Sequence, residues 1–150
     1  MRSDGKEDAG VMVDLHGLGL LTLRVVVGLV FVTHGGHKLF VRGVPNVMGF
    51  LNELGITPPE LWAWVLTLSE LAGGLALILG TLTRIAALLT TATMVVAIRE
   101  VLWVRGFFLP GYEFALTLLG ASIALALTGP GRYAIDAWLG LEERVDVEHT

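Results

Sequence analysis

The chain has 150 residues, of which 54% are hydrophobic and 16% charged, with a formal net charge of −4 and no cysteine. Soluble domains carry about 25% charged residues, so this chain has too few charges to cover a surface that faces water. No basic stripe exists to neutralise phosphates, and nucleic acid is therefore not expected as a partner. The absence of cysteine excludes iron–sulfur clusters, thiolate nucleophiles and disulfide relays.

Four long apolar blocks follow one another along the chain, at residues 18–40, 61–82, 85–104 and 107–128. Each is close to the length of about 20 residues that a membrane helix needs. The blocks predict an all-α integral membrane four-helix bundle with up-down-up-down topology, surrounded by membrane lipid, in one domain over residues 18–138. Polar tails are predicted at residues 1–17 and 139–150, and the first does not have the pattern of a signal peptide.

The connections between the blocks differ in length. Residues 80–84 form a tight link, so the second and third spans are predicted to be antiparallel neighbours. The first loop, residues 41–60, is longer, and residues 47–54 within it predict a short amphipathic helix at the membrane interface. The pair Gly73-Gly74 predicts a close approach of the second span to another helix, because small residues allow tight packing in membranes.

The distribution of basic residues predicts the orientation of the bundle. Four spans place both termini on one side of the membrane, and basic residues are enriched on the cytoplasmic side. The side with the termini carries Arg2, Lys6, Arg84, Arg132 and Arg144, and the other side carries Lys38, Arg42 and Arg105. We therefore expect a multi-pass protein of the cytoplasmic membrane with both termini in the cytoplasm.

Ionisable side chains inside a membrane are costly and are candidate functional groups. With a rise of 1.5 Å per residue, His34 and Glu113 lie about 9 Å inside the outer ends of their spans. On the same basis Glu70 lies about 13 Å and Glu100 about 6 Å inside, and Lys38 is on the same side. These depths predict a polar pocket in the outer half of the bilayer. The alternative is that the charged pairs only hold the helices together.

Metal and haem sites are not expected. His34 and His37 are three residues apart, but a lone His-x-x-His lacks the further ligands that a metal site needs. Haem needs axial ligands from opposite sides of the ring, and His16 and His149 lie near or beyond the other membrane face.

The polar residues of the spans form an ordered series of short motifs. They are Arg24, His34-Gly35-x-x-Lys38-Leu39-Phe40, Glu70-Leu71-x-Gly73-Gly74, Gly80-x-x-Thr83-Arg84, Gly111-Tyr112-Glu113 and Gly129-Pro130-Gly131-Arg132-Tyr133-x-x-Asp136. In order and spacing this series resembles the DoxX family, and His37 departs from the family's pattern. The resemblance implies a four-helix protein of the bacterial or archaeal cytoplasmic membrane, associated with thiosulfate:quinone oxidoreductase or oxidative-stress systems.

The first functional hypothesis is a membrane subunit of a quinone-linked oxidoreductase system. A quinone site needs hydrogen-bond donors to the carbonyl oxygens and a path for protons. The candidate catalytic residues are His34, Lys38, Glu70 and Glu113, and the candidate quinone-binding residues are these four together with Glu100 and Tyr112. The chain has no visible electron carrier of its own, so we expect a redox partner subunit or a homo-oligomer.

Two other functional hypotheses do not involve a quinone. A non-catalytic membrane anchor or assembly subunit needs only the spans and the residues that hold them together. A carrier for a small solute or a proton would use the intramembrane carboxylates, but four spans would require an oligomer. Whether the chain is itself an enzyme is left open by the sequence.

Overall fold

The computed structural model describes residues 5–140, with side chains from residue 15 onward, and the regular elements in this part of the chain are helical. The α-helices are α1 (Gly5–Gly36), α2 (Val44–Glu53), α3 (Pro59–Leu79), α4 (Thr83–Ala97), α5 (Glu113–Thr128) and α6 (Ile135–Trp138). A π-helical segment, His37–Arg42, prolongs α1. A π-helical segment, Ile98–Leu102, and a 3-10 turn, Trp103–Arg105, prolong α4.

Helix length and composition identify the membrane-spanning elements. Three helical stretches are long and apolar enough to cross a membrane, namely Leu15–Arg42, Pro59–Leu79 and Thr83–Arg105. The fourth, α5, is also apolar but has 16 residues, which extend about 24 Å at 1.5 Å per residue. In the bundle, α1 packs on α3, α3 on α4, α4 on α5 and α5 on α1. The prediction of an all-α membrane bundle is confirmed.

The bundle has two ends, which we name after the short helices that lie there. At the α2 end, α2 packs on α3 and on the π-helical segment that follows α1. Its residues Val44, Val47 and Leu51 are buried against Ala63 of α3, and α2 is the short amphipathic helix that the sequence predicts. The α6 end contains the tight turn between α3 and α4 together with the chain that leaves α5.

Some boundaries differ from those predicted by the apolar blocks. The fourth block begins at residue 107, whereas α5 begins at Glu113. Residues 107–112 form a loop closed by its own backbone, since the amide of Tyr112 donates to the Gly106 carbonyl at 3.0 Å. Pro110 has no amide hydrogen to give to a helix. Of the polar tails predicted at residues 1–17 and 139–150, residues 1–4 and 141–150 lie outside the described residues, and residues 5–17 are continuous with α1.

Three glycines bring the backbones of α1 and α3 into contact. A Cβ atom added to Gly28 would lie 2.6 Å from the carbonyl oxygen of Gly74, and one added to Gly35 would lie 2.8 Å from the Cα atom of Leu71. A Cβ atom on Gly74 would lie 2.7 Å from the amide nitrogen of Val32. No side chain can be accommodated at these distances unless the helices move apart. The close approach predicted for the Gly73-Gly74 pair is therefore found at Gly74, against α1.

Replacement of Gly35 by alanine is expected to destabilise the bundle, because the added methyl group would push α1 away from Leu71. Overpacking of this kind typically costs about 1–3 kcal/mol. The measurement is the apparent melting temperature of the purified protein in mild detergent, which should fall in Gly35→Ala. The matched control is Gly36→Ala, since a Cβ atom on the adjacent glycine meets nothing within 4 Å. An equal effect of both substitutions would contradict the proposed backbone contact.

Candidate functional site

A buried ion pair joins α1 to α3 at the α2 end. The Lys38 ammonium group donates to the Oε2 atom of Glu70, and their side chains are 20% and 4% exposed. The contact between Gly35 and Leu71 positions this pair, because Lys38 follows Gly35 by three residues and Glu70 precedes Leu71 directly. Each charge lowers the cost of burying the other in apolar surroundings.

The ion pair lies on the wall of a cavity of about 540 Å³, within the range of roughly 300–1,000 Å³ that small-molecule sites occupy. Residues of α1, α2, α3, α4 and α5, and of the segments that prolong α1 and α4, form the walls. The polar lining residues are His34, Lys38, Arg42, Glu70, Thr93, Glu100 and Arg105. Most of the other lining residues are apolar, including Phe31, Leu66, Met94 and Leu118. An apolar space with a few convergent polar groups is typical of ligand sites.

Four of the six predicted site residues line this cavity. They are His34, Lys38, Glu70 and Glu100. His34 also makes a ring contact with Phe114 of α5, with a distance of 6.2 Å between ring centroids. The sequence therefore selected at least one of the polar side chains that each of three spans, α1, α3 and α4, contributes to this cavity.

Tyr112 and Glu113 are not among the cavity-lining residues. Tyr112 stacks on Trp103 at a centroid distance of 5.4 Å, and a carboxylate oxygen of Glu113 accepts a hydrogen bond of 3.0 Å from the Leu109 amide. The depth expected for Glu113 assumed a helix from residue 107. Because α5 begins at Glu113, this carboxylate closes the loop before the helix instead of lying one to two turns inside it.

Two cations at the cavity were not selected by sequence reasoning. Arg42 and Arg105 line the cavity, and the guanidinium carbon of Arg42 lies 5.4 Å from the ring centre of Phe50 in α2. In the sequence both residues resemble ordinary basic anchors, since they flank apolar blocks. For Arg42 a signal was present: it follows Lys38 by four residues, a spacing that places the two side chains on one side of a helix.

The second carboxylate at the cavity, Glu100, is less buried than Glu70. Its side chain is 39% exposed, and its Oε1 atom lies 3.2 Å from the Nε atom of Arg99. The Arg99 side chain is 82% exposed and is not a cavity-lining residue. Adjacent residues on a helix point about 100° apart, so only one of the two can face the interior. Glu100 is the one that does.

The side chains that the structure describes do not form a set of metal ligands. Among residues 15–140, no group of three or more His, Asp or Glu side chains lies close enough together to hold a metal ion. His34 lines the cavity, whereas His37 does not.

A second buried polar cluster lies at the α6 end. The Arg24 side chain is fully buried, and its Nη2 atom donates to the Tyr133 carbonyl at 2.7 Å. Gly80 leaves the space that the guanidinium group occupies, since any side chain there would overlap it. Asp136, which is 3% exposed, is the charged residue with which Arg24 interacts electrostatically.

Asp136 also caps the N-terminus of α4 from a distant position in the chain. Its Oδ1 atom accepts from the Leu82 amide at 2.8 Å, and its Oδ2 atom accepts from the Thr83 amide at 2.9 Å and the Thr83 hydroxyl at 3.1 Å. A carboxylate at a helix N-terminus satisfies free amide groups and interacts favourably with the helix dipole. The Asp136 carboxylate is therefore saturated by the fold itself, whereas the Nε and Nη1 atoms of Arg24 are buried without a hydrogen-bond partner among the described residues.

Comparison with known proteins assigns the chain to a family. The DoxX family model matches residues 19–106, more than half of the chain. The chain belongs to the DoxX family. It is 35% identical over 122 residues to the Bacillus subtilis (strain 168) protein named "Putative oxidoreductase CatD", an alignment that covers 81% of this chain and 87% of the relative.

A second relative in the comparison is an Escherichia coli (strain K12) protein named "Inner membrane protein YqjF". The two sequences are 32% identical over 130 residues, which cover 85% of this chain and 97% of the relative. Among solved structures no significant match is found. The DoxX match includes Arg24, Lys38, Glu70 and Glu100 and ends before α5, so the ion pair lies inside the matched region and Asp136 lies outside it. The chain is a membrane protein of this family.

Replacement of Asp136 by alanine is expected to destabilise the α6 end, since it removes three hydrogen bonds at the N-terminus of α4 and a negative charge that interacts with the buried Arg24. Hydrogen bonds to a charged group contribute about 1.5–3 kcal/mol. The apparent melting temperature in detergent should fall well below that of the wild type. The control is Glu60→Ala, which removes an exposed carboxylate in the first turn of α3. If both variants melt alike, the capping role of Asp136 is refuted.

Proposed function

We propose that this DoxX protein is a membrane subunit of a quinone-linked oxidoreductase system, of the thiosulfate:quinone oxidoreductase-like or oxidative-stress-related kind, and that quinone binds in the cavity at the α2 end. The observation that carries the proposal is the buried Lys38–Glu70 pair on the wall of an apolar cavity of about 540 Å³. The printed name of the Bacillus subtilis relative refers to an oxidoreductase, which agrees with a redox role.

The chemistry of the lining residues fits a quinone ring. Phe31, Met94 and Leu118 offer apolar surface to the ring faces. Carbonyl oxygens on the ring need hydrogen-bond donors, which Lys38 and His34 supply. A bound quinone would supply two-electron, two-proton redox chemistry, which the side chains of this cysteine-free chain do not.

The residues of the ion pair have distinct roles in this proposal. Lys38 donates to a carbonyl oxygen and carries positive charge to where electron density increases on reduction. Glu70 is a positioning residue, because it is almost fully buried and its carboxylate holds the Lys38 ammonium group at the cavity wall. Both depend on the Gly35 contact, which sets the distance between α1 and α3.

Proton exchange is assigned to the more exposed side of the cavity. His34 can both donate and accept a proton at its ring nitrogens. Glu100 combines contact with the cavity and a side chain that is 39% exposed, so it can pass protons between the cavity and the surface at the α2 end. Electrons come from a redox partner subunit, or from a small reductant in a homo-oligomer.

A second candidate function is a non-catalytic membrane anchor or assembly subunit. The Lys38–Glu70 pair favours it as well, since an ion pair between α1 and α3 holds two helices together without any ligand. The two candidates differ in what the pair does, so they are separated by variants that remove the charges while keeping the volume of the side chains.

The first test is the quinone content of the purified protein. We expect nearly one quinone per chain after extraction from mild detergent with organic solvent, and clearly less than one in His34→Ala and in Glu70→Gln. The first substitution removes a polar contact and the second releases the Lys38 ammonium group, and a loss of about 1.4 kcal/mol raises the Kd about tenfold. The control Glu60→Gln changes an exposed carboxylate outside the cavity. A folded wild type with no quinone above the lipid background would contradict the proposal.

The double variant Lys38→Met/Glu70→Gln separates the two candidate functions. Removal of both partners of a buried ion pair is often neutral for stability, whereas removal of one leaves a buried charge without its partner. A double variant that melts like the wild type but carries no quinone supports the redox site. One that fails to fold supports the anchor function, and one that melts like the wild type and keeps its quinone would overturn the role of the ion pair in quinone binding.

The proposed orientation places both termini in the cytoplasm and the α2 end on the opposite side of the membrane. The distribution of basic residues supports it, and the printed name of the Escherichia coli relative refers to the inner membrane. In this orientation the cavity exchanges protons with the outer aqueous phase.

Single cysteines introduced into the cysteine-free chain test this orientation. In intact cells a membrane-impermeant maleimide should label Asn52→Cys, which is exposed on α2, but should label Ser3→Cys only after permeabilisation. The labelling of Asn52→Cys in permeabilised cells controls for reactivity. Labelling of Ser3→Cys in intact cells would reverse the proposed orientation.

A further inference from the structure

A second space, the α3–α4 groove, adjoins the cavity and has a volume of about 520 Å³. Its lining residues come from the end of α2, the loop that follows it, α3, and α4 with its extension. They include Trp62, Val65, Leu89, Ala92, Val96 and Glu100. Trp62, Val65, Leu89 and Val96 are all more than 40% exposed, so the groove opens on the surface that faces lipid in a membrane.

The shape of the groove follows from how α3 and α4 separate. The two helices touch below it, where a Cβ atom on Gly73 would lie 3.4 Å from the Cγ2 atom of Thr90. Toward the α2 end they diverge, and the loop after α2 closes the top of the gap. The lining residues of α4 run from Leu89 to Glu100, which is about 16 Å along the helix axis. The groove is therefore elongated and parallel to the spans.

The groove lies directly against the cavity, and the two spaces share part of their lining. Six residues line both spaces, namely Leu51, Ile56, Leu66, Thr93, Val96 and Glu100. The cavity holds four cationic or imidazole side chains, whereas Glu100 is the single charged side chain among the groove residues. One molecule with a polar ring and a long apolar tail would match this division, with the ring in the cavity and the tail in the groove.

We propose that the α3–α4 groove binds the isoprenoid tail of the quinone and is the route by which the quinone enters from the membrane. This inference rests on the proposed function, because it takes the quinone ring to lie in the cavity. The groove favours a neutral tail over a phospholipid, since its one charged residue, Glu100, is an anion that repels a lipid phosphate group. Its position between two spans lets the tail stay in contact with lipid.

The test compares two quinones that share a 1,4-benzoquinone ring, one with a tail of several isoprene units and one without a tail. Binding to the purified full chain is measured by equilibrium dialysis in detergent. In Ala92→Phe the added ring fills the groove at an exposed position. We expect the Kd of the tailed quinone to rise about tenfold or more, as for a loss of roughly 1.4 kcal/mol, and that of the tailless quinone to stay within twofold.

The matched control is Ala72→Phe, because Ala72 is exposed on α3 and lines neither space. It should leave both affinities unchanged, and the melting temperature of each variant shows whether it is folded. If the Ala92 variant does not fold, Val65→Trp, which blocks the groove from α3, replaces it.

The outcomes distinguish the failure of this inference from the failure of the proposed function. If the wild type binds the two quinones equally, or if Ala92→Phe weakens both equally, the groove does not hold the tail and the cavity still binds the ring. If Ala92→Phe lowers the amount of co-purified phospholipid without changing quinone binding, the groove is an acyl-lipid site. If the folded wild type binds neither quinone, the proposed function itself is overturned.

Discussion

The contact between the backbones of α1 and α3 is the constraint on which the rest of the structure depends. In lipid the hydrophobic effect does not drive helices together, so their association depends on close packing and on polar pairs. Gly28 and Gly35 of α1 provide the close packing against α3, and the resulting separation lets Lys38 reach Glu70. The two helices then act as one wall, on which α2, α4 and α5 complete the cavity.

The two buried polar clusters both place opposite charges near each other inside the bundle, but only one of them faces a space that a ligand could enter. In each, a cation of the first span interacts with a carboxylate from later in the chain: Lys38 forms an ion pair with Glu70 at the α2 end, and Arg24 interacts electrostatically with Asp136 at the α6 end. Asp136 is saturated by the backbone and hydroxyl donors of the α3–α4 turn, so it stabilises that turn. The Lys38–Glu70 pair faces an open cavity, which is why the candidate site lies at the α2 end.

The sequence identified a site residue correctly where a charged side chain stands in the middle of an apolar helix. It did not do so where the position of the residue depends on where a helix begins or on how the helices pack. Glu70 could be identified because a carboxylate in the middle of an apolar block has to be paired. Glu113 shows the same contrast, but the apolar residues before it belong to a loop, and composition does not distinguish a loop at the bundle end from a helix turn. Arg42 and Arg105 have the pattern of membrane anchors, and only their positions around the cavity separate them from anchors.

The sequence by itself determined the membrane class, the number of apolar helices, the short helix after the first span and the need to pair Glu70, because these depend on composition and on spacing along the chain. The tertiary structure decided the partners. Which carboxylate meets which cation, where the cavity lies and where α3 and α4 separate depend on helix rotation and on which glycines face a neighbouring helix, as Gly35 does and Gly36 does not. Such differences arise only when all the helices are assembled, since a rotation of one residue, about 100°, turns a lining residue away from the interior.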